Sequence, residues 1–244
     1  MGNKPDYRYL RGADVEIIQS DGQYFFKKIR DAKEYQPFDY YETPDKNLYM
    51  QFSQLDENNV DSIADFIREY GFLSNLQHYE PLSIWQLEIY RIRLILKIYA
   101  AISGKKDDFT NFVIKHTYMD DIAKIQEILS KRGQTYEPEY GFLDLIRSYH
   151  LIRQNKLLRR NEGKKFYIES RQALKSAMLS YMQNVLNSKT KDVRHRIKLT
   201  INNADSFDYD EYVEINTLSE AIYSMLYQDL LRGKRLLICK ACGE

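Results

Sequence analysis

The stretch PLSIWQLEIYRIRLILKIYAAISG, residues 81–104, decides how the chain is read. Leu82, Trp85, Ile89, Ile92, Ile95, Leu96 and Tyr99 recur at steps of three and four, the spacing that lines one broad face of an α-helix. Pro81 stands where a first helical turn tolerates a missing N–H, and Gly104 stands where a helix ends well in a left-handed residue. So long an apolar face needs a covering surface, which predicts a central rod in a mainly helical core.

Upstream, DENNVDSIADFIREYGFL (56–73) repeats the helical signal with Val60, Ile63, Phe66 and Ile67, Asp56 or Asn58 as cap and Gly71 just past the end. Further back, DVEIIQSDGQYFFKKI (14–29) sets two apolar and aromatic runs around Asp21-Gly22, the strongest short-range mark of a β-hairpin. Residues 30–47 between them carry two prolines and no steady period, and predict a loop or extended arm.

Downstream, a helix is expected over 107–131, closed by Gly133 and weakened by Thr110, Val113 and Thr117. Another follows Pro138 with Phe142, Leu143, Leu145, Ile146, Tyr149, Leu151 and Ile152, and a fifth covers roughly 167–186. The β-branched segments 197–201 and 212–215, separated by a polar and acidic loop, predict a second hairpin. Thr217 and Glu220 form a T-x-x-E capping box for a helix through Ala221, Ile222, Leu226 and Leu230 to Gly233, and a short strand over 234–238 then leads to Cys239.

These elements predict a mainly α fold: a helical bundle with an N-terminal β-hairpin, a second β-hairpin near the C-terminus and a partial C-terminal zinc ribbon. The expected divisions are an N-terminal hairpin and arm over 1–46, a helical body over 47–233 that includes the hairpin at about 195–215, and a knuckle over 234–244.

Apolar residues make up 43% of the 244 and charged residues 29%, a balance that sustains a core and argues against wholesale disorder. No run approaches the ~18 apolar residues of a membrane span, and the opening MGNKPDYRYLRG lacks the apolar region of a secretory signal. The expected location is the cytoplasm, with no membrane partner. Asp6 stands where a myristoylation signal wants Ser or Thr.

The two cysteines, Cys239 and Cys242, are three apart, which excludes a disulfide framework and leaves metal or redox chemistry. A strand running into C-x-x-C with Gly243 behind it has the character of a zinc knuckle, whose tight turn lets two thiolates reach one Zn²⁺. The pair supplies two of four ligands. His78, His116, His150 and His195 are scattered singly and do not read as the missing two. The remaining ligands are expected from a second C-x-x-C in a longer natural chain, or from the same pair of a second copy; two reduced thiols without metal are the plain alternative. No βαβ pattern precedes the motif, which argues against thioredoxin-type redox work.

Charge is segregated within a formal net of +1. Residues 153–198 hold 13 Lys or Arg against Glu162, Glu169 and Asp192, a balance of +10, while the rest of the chain carries −9. Arg153, Lys156, Arg159, Arg160, Lys164, Lys165, Arg194, Arg196 and Lys198 are the candidate phosphate contacts. The competing reading is a solvated face whose cations answer Asp205, Asp208, Asp210, Glu211 and Glu214 just downstream.

The chain lacks G-x-x-x-x-G-K-[ST], G-x-G-x-x-G, G-x-S-x-G and H-E-x-x-H, and no helix-turn-helix or RNP signature points to base readout. Asp120, Asp121 and the acids after Ala204 offer a divalent-cation site only weakly, and His116 near Asp120 reads as a surface pair rather than an acid–base centre.

Three stretches resemble bacterial CGNR-type zinc-finger and related zinc-ribbon proteins: NLYMQFSQLDENNVDSIADFIREYGFLS, EPLSIWQLEIYRIRLILKIYAAI with Trp85, and LSEAIYSMLYQDLLRGKRLLICKACGE. The resemblance covers about a third of the chain and implies a helical N-terminal body, a C-terminal zinc-binding knuckle carried by Cys239 and Cys242, and a regulatory or DNA-binding role. The second cysteine pair and the Cys-Gly-Asn-Arg element do not occur in these 244 residues. The expectation is a non-enzymatic bacterial regulatory protein that binds nucleic acid through its basic segment. An alternative is a protein-interaction or self-assembly module of a stress or phage-defence system, in one form a homodimer sharing zinc between chains, and a further alternative is a metal-dependent nuclease.

Overall fold

The structure is a computed structural model that describes residues 6–10, 13–30, 35–38, 47–74, 79–103, 117–132, 162–203, 206–215 and 217–231. The elements in order are β1 (Asp6–Leu10), β2 (Asp14–Ser20), β3 (Gln23–Arg30), β4 (Tyr35–Phe38), α1 (Leu48–Ser53), α2 (Val60–Tyr70), β5 (Tyr79–Pro81), α3 (Leu82–Ser103), α4 (Thr117–Lys131), α5 (Glu162–Thr190), β6 (Arg194–Asn203), β7 (Ser206–Glu214) and α6 (Leu218–Leu231). The fold is mostly helical, with a three-stranded antiparallel sheet in the order β2-β3-β5 and a four-stranded sheet in the order β4-β1-β7-β6. The helix expected after Pro138 and the strand expected over 234–238 lie outside the described residues.

Asp21 and Gly22 form the expected hairpin turn, with φ of 51° and 74°, and set Ser20 opposite Gln23. Two successive residues with positive φ match the right-handed twist of the flanking strands, which is why Asp-Gly serves here. A Cβ on Gly22 would meet nothing within 4 Å, so the glycine is required by its backbone and not by space.

The sequence reading and the structure part in several places. Within 30–47, Tyr35–Phe38 is a strand and not a loop, antiparallel to β1 with Pro37 opposite Arg8 at one margin of its sheet. The acidic stretch 206–211 belongs to β7, so the second hairpin is longer than expected. The short helix α1 was not foreseen; it buries Leu48, Tyr49 and Phe52. Finally, Asn59 and not Asp56 or Asn58 caps α2, its side chain accepting from the Ser62 N–H at 3.0 Å, while Asp56 shapes the preceding turn by accepting from the Asn58 N–H.

The chain divides into two compact units, one of Met1–Ile89 with Lys189–Lys234 and one of Tyr90–Ser188 with Arg235–Glu244, so the division falls within α3 and α5. In the first unit the core gathers around Trp85, which is fully buried. Its ring lies 6.0 Å from that of Phe26 on β3 and 5.9 Å from that of Phe52 on α1; Phe52 in turn meets Phe66 of α2 at 5.7 Å. Four elements therefore each contribute one ring, in the tilted and edge-on arrangements that aromatic quadrupoles favour. In the second unit the buried side chains include Ile92, Ile95 and Ile98 of α3, Ile125 and Leu129 of α4, and Met178, Met182 and Val185 of α5. Here Lys124 of α4 sits 5.0 Å from the centre of the Tyr90 ring.

After α2 the backbone turns inward. Gly71, at φ 92°, closes the helix by donating to the Ile67 carbonyl at 2.8 Å, and Gly71, Phe72 and Leu73 are buried. A buried connection needs partners for its peptide groups. The N–H groups of Leu73 and Ser74 donate to the Glu80 carboxylate at 3.2 and 2.6 Å, and the Ser74 hydroxyl and the Trp85 indole N–H donate to it at 2.9 and 3.0 Å. The carbonyls of Phe72 and Leu73 accept from the Leu218 and Ser219 N–H groups in the first turn of α6, groups with no partner inside their own helix. The Thr217 hydroxyl accepts from the Glu220 N–H at 3.1 Å, as the capping box predicts.

Burial pushes the Glu80 carboxyl above its ordinary value of 4.5, against the bonds from Ser74, Leu73 and Trp85 that pull it down. The folded protein thus keeps this proton to higher pH than the unfolded chain. Its stabilising contribution is fully present below pH 4.5 and is lost as pH rises through the folded value. Glu80→Leu leaves buried donors without an acceptor and is expected to cost about 3–5 kcal/mol in urea unfolding. Glu80→Gln should cost less, and stability measured from pH 4 upward should then lack the decline that wild type shows; an unchanged slope would refute the assignment.

Candidate functional site

Of the candidate phosphate contacts, Arg153, Lys156, Arg159 and Arg160 lie outside the described residues, as do both candidate zinc ligands, Cys239 and Cys242. Lys164 and Lys165 fall in the first turns of α5. Arg194, Arg196 and Lys198 are on β6, where alternate spacing places all three on one face of the strand.

The register of the β6–β7 hairpin decides what that face can do. Arg194 stands opposite Glu214, Arg196 opposite Tyr212, Lys198 opposite Asp210 and Thr200 opposite Asp208. Directly opposed residues share a face, so two of the three basic positions there are met by acids, and Asp208 adds a third acid opposite Thr200. Over the hairpin the three cations of β6 face four acids on β7, Asp208, Asp210, Glu211 and Glu214, so this element carries no excess of positive charge. Neutralising phosphates needs cations in excess, and that excess lies upstream, over residues 153–191.

A second polar constellation escaped the sequence reading. Glu88 of α3, 4% exposed, accepts from Lys189 Nζ at 2.7 Å through one carboxylate oxygen and from the Tyr223 hydroxyl at 2.7 Å through the other. The Lys189 ammonium also lies 5.7 Å from the centre of the Tyr223 ring. These three residues come from α3, the last turn of α5 and α6, at separations of 101 and 135 residues along the chain from Glu88. Nearby in kind, the Tyr49 hydroxyl donates to the buried Asp229 carboxylate at 2.9 Å. Chemically this is a compensated buried ion pair: both carboxylate oxygens are engaged, and the ammonium spends its charge on them. Its role is to fasten helices.

Among the described residues no group of three or more His, Cys, Asp and Glu is placed to hold a metal ion, and no helix is long and apolar enough to cross a membrane. His195 is on β6; His78, His116 and His150 lie outside the described residues.

Truncating Glu88 strands a half-buried ammonium beside a buried phenol, so Glu88→Ala is expected to lower unfolding stability by about 2–4 kcal/mol. A double-mutant cycle with Lys189→Met should give a coupling of about 1–2 kcal/mol; strictly additive losses would mean that the pair adds nothing. Comparison of the whole chain with protein-family models, with curated proteins and with solved structures finds no match.

Proposed function

We propose that the chain is a non-enzymatic regulatory protein that binds nucleic acid through its basic segment, with Cys239 and Cys242 as one half of a four-thiolate zinc knuckle. The observation that carries this reading is the charge segregation: +10 over residues 153–198 in a chain whose formal net charge is +1. A polyanion releases counterions when such a segment meets it, and this entropy gain supplies sequence-independent affinity. The resemblance of 218–244 to the final helix and first zinc half-ribbon of the CGNR-type proteins supports the metal part, with two further thiolates coming from outside these 244 residues.

Two measurements test it. Binding to a labelled duplex should weaken steeply with salt, and Arg159→Ala and Arg160→Ala should each reduce the log–log slope by ~1. An affinity that ignores both substitutions and salt would leave only a solvated basic face. For the knuckle, zinc content of the purified natural protein should fall when Cys239→Ser or Cys242→Ser is introduced, and bound zinc should slow alkylation of the remaining thiol. Freely alkylated thiols with no zinc would remove the metal from the reading.

A further inference from the structure

The exposed positions of the other described helices are largely filled by charge. On α2 they are Asp61, Asp65, Arg68 and Glu69, and on α4 they include Lys124, Glu127 and Lys131. The C-terminal half of α5 departs from this: its exposed positions are Ser176, Leu179, Ser180, Gln183, Asn184, Asn187 and Ser188, and none is charged. At helical spacing they fall on one side of α5, opposite the buried Met178, Tyr181, Met182, Val185 and Leu186. Lys175 and Lys189, the lysines that bracket this stretch, are half-buried and fall toward the inward side. The inward packing is therefore that of any amphipathic helix, while the outward face is neutral over roughly 18 Å from Ser176 to Ser188, with Leu179 52% exposed at its margin.

In a chain of which 29% is charged, a solvated helix face draws on that supply, as α2 and α4 do. Depletion of charge marks instead the centre of an interface. What covers the face follows from what it offers. A strongly basic or acidic partner finds no countercharge on it. A second copy does find a complement: no like charges meet, and the amides of Gln183, Asn184 and Asn187 and the hydroxyls of Ser176, Ser180 and Ser188 each carry donor and acceptor, so each can bond to its own kind. We propose that two copies of the chain pair through this face of α5, helix against helix about a twofold axis, with Leu179 of each copy supplying an apolar contact. A twofold pairing closes on itself and ends at the dimer. So short a contact falls below the size of an obligate interface, which makes the dimer reversible. The pairing is independent of nucleic-acid binding and of the cysteines.

The test follows the mass of the full chain by sedimentation velocity over a concentration series, with a chelator present so that zinc shared between chains cannot hold two copies together. Wild type is expected to pass from monomer to dimer as concentration rises. Two variants load the face with one sign of charge, one carrying Ser180→Lys and Gln183→Lys and the other Ser180→Glu and Gln183→Glu. Each alone should weaken dimerisation by about tenfold or more, and an equimolar mixture of the two should restore it as a heterodimer. Both positions are exposed, so unchanged circular dichroism and thermal unfolding separate a lost contact from a lost fold. Asn184→Lys and Asn184→Glu give the same reading through another position. A wild type that stays monomeric at every concentration overturns self-pairing and leaves the face to a different protein. A dimer that ignores the charged variants overturns it as well, since the contact then lies elsewhere on the chain.

Discussion

Everything in the first unit depends on how a buried stretch of backbone, Gly71 to Ser74, is kept hydrogen-bonded. The N–H groups of Leu73 and Ser74 go to the Glu80 carboxylate, and the carbonyls of Phe72 and Leu73 go to the opening turn of α6. A carboxylate is suited to this because it offers acceptors on two oxygens, and here two are used by backbone and two by Ser74 and Trp85 side chains. Strand β5 exists to deliver it: pairing sets Glu80 opposite Phe26, on the face that leads into the aromatic core. One ionisable side chain thus ties α2, β5, α3 and, through the intervening peptides, α6.

The same logic recurs at Glu88 and Asp229, where buried acids are held by Lys189, Tyr223 and Tyr49. Each joins residues more than a hundred positions apart. Apolar packing alone tolerates slippage of one helix past another; an acid that must meet a particular phenol or ammonium does not. The abundance of tyrosine in the sequence, 21 residues, finds part of its use here, since a phenol adds ring area to the core and a donor at its rim.

What was legible in the sequence was local. Asp21-Gly22 announces its turn because only certain residues tolerate that backbone, and α2, α3 and the Thr217 cap are written in spacing that needs no distant partner. The misses were long-range or short. Strand β1 is held by β4 and by β7, the latter some two hundred residues away, and five residues of alternating pattern carry too little signal alone. In β7 the alternation of Phe207, Tyr209 and Val213 was present but hidden by the acids between them, which look like a loop until β6 supplies their opposite charges. Of the candidate site, the charge excess was plain from counting; that acids of β7 stand opposite cations of β6 was visible only from the strand register. The Glu88 constellation had no sequence mark at all.

Pro37 has a further consequence. Among the described strands, β4 and β6 are the outer members of the four-stranded sheet, the places where a foreign strand could add itself. An imino acid on the first offers no donor to a newcomer, and Arg194, Arg196 and Lys198 on the second would confront their own copies with like charge. Both borders of this sheet are thereby disfavoured as places for a second copy to add a strand, which keeps one molecule from stacking on the next.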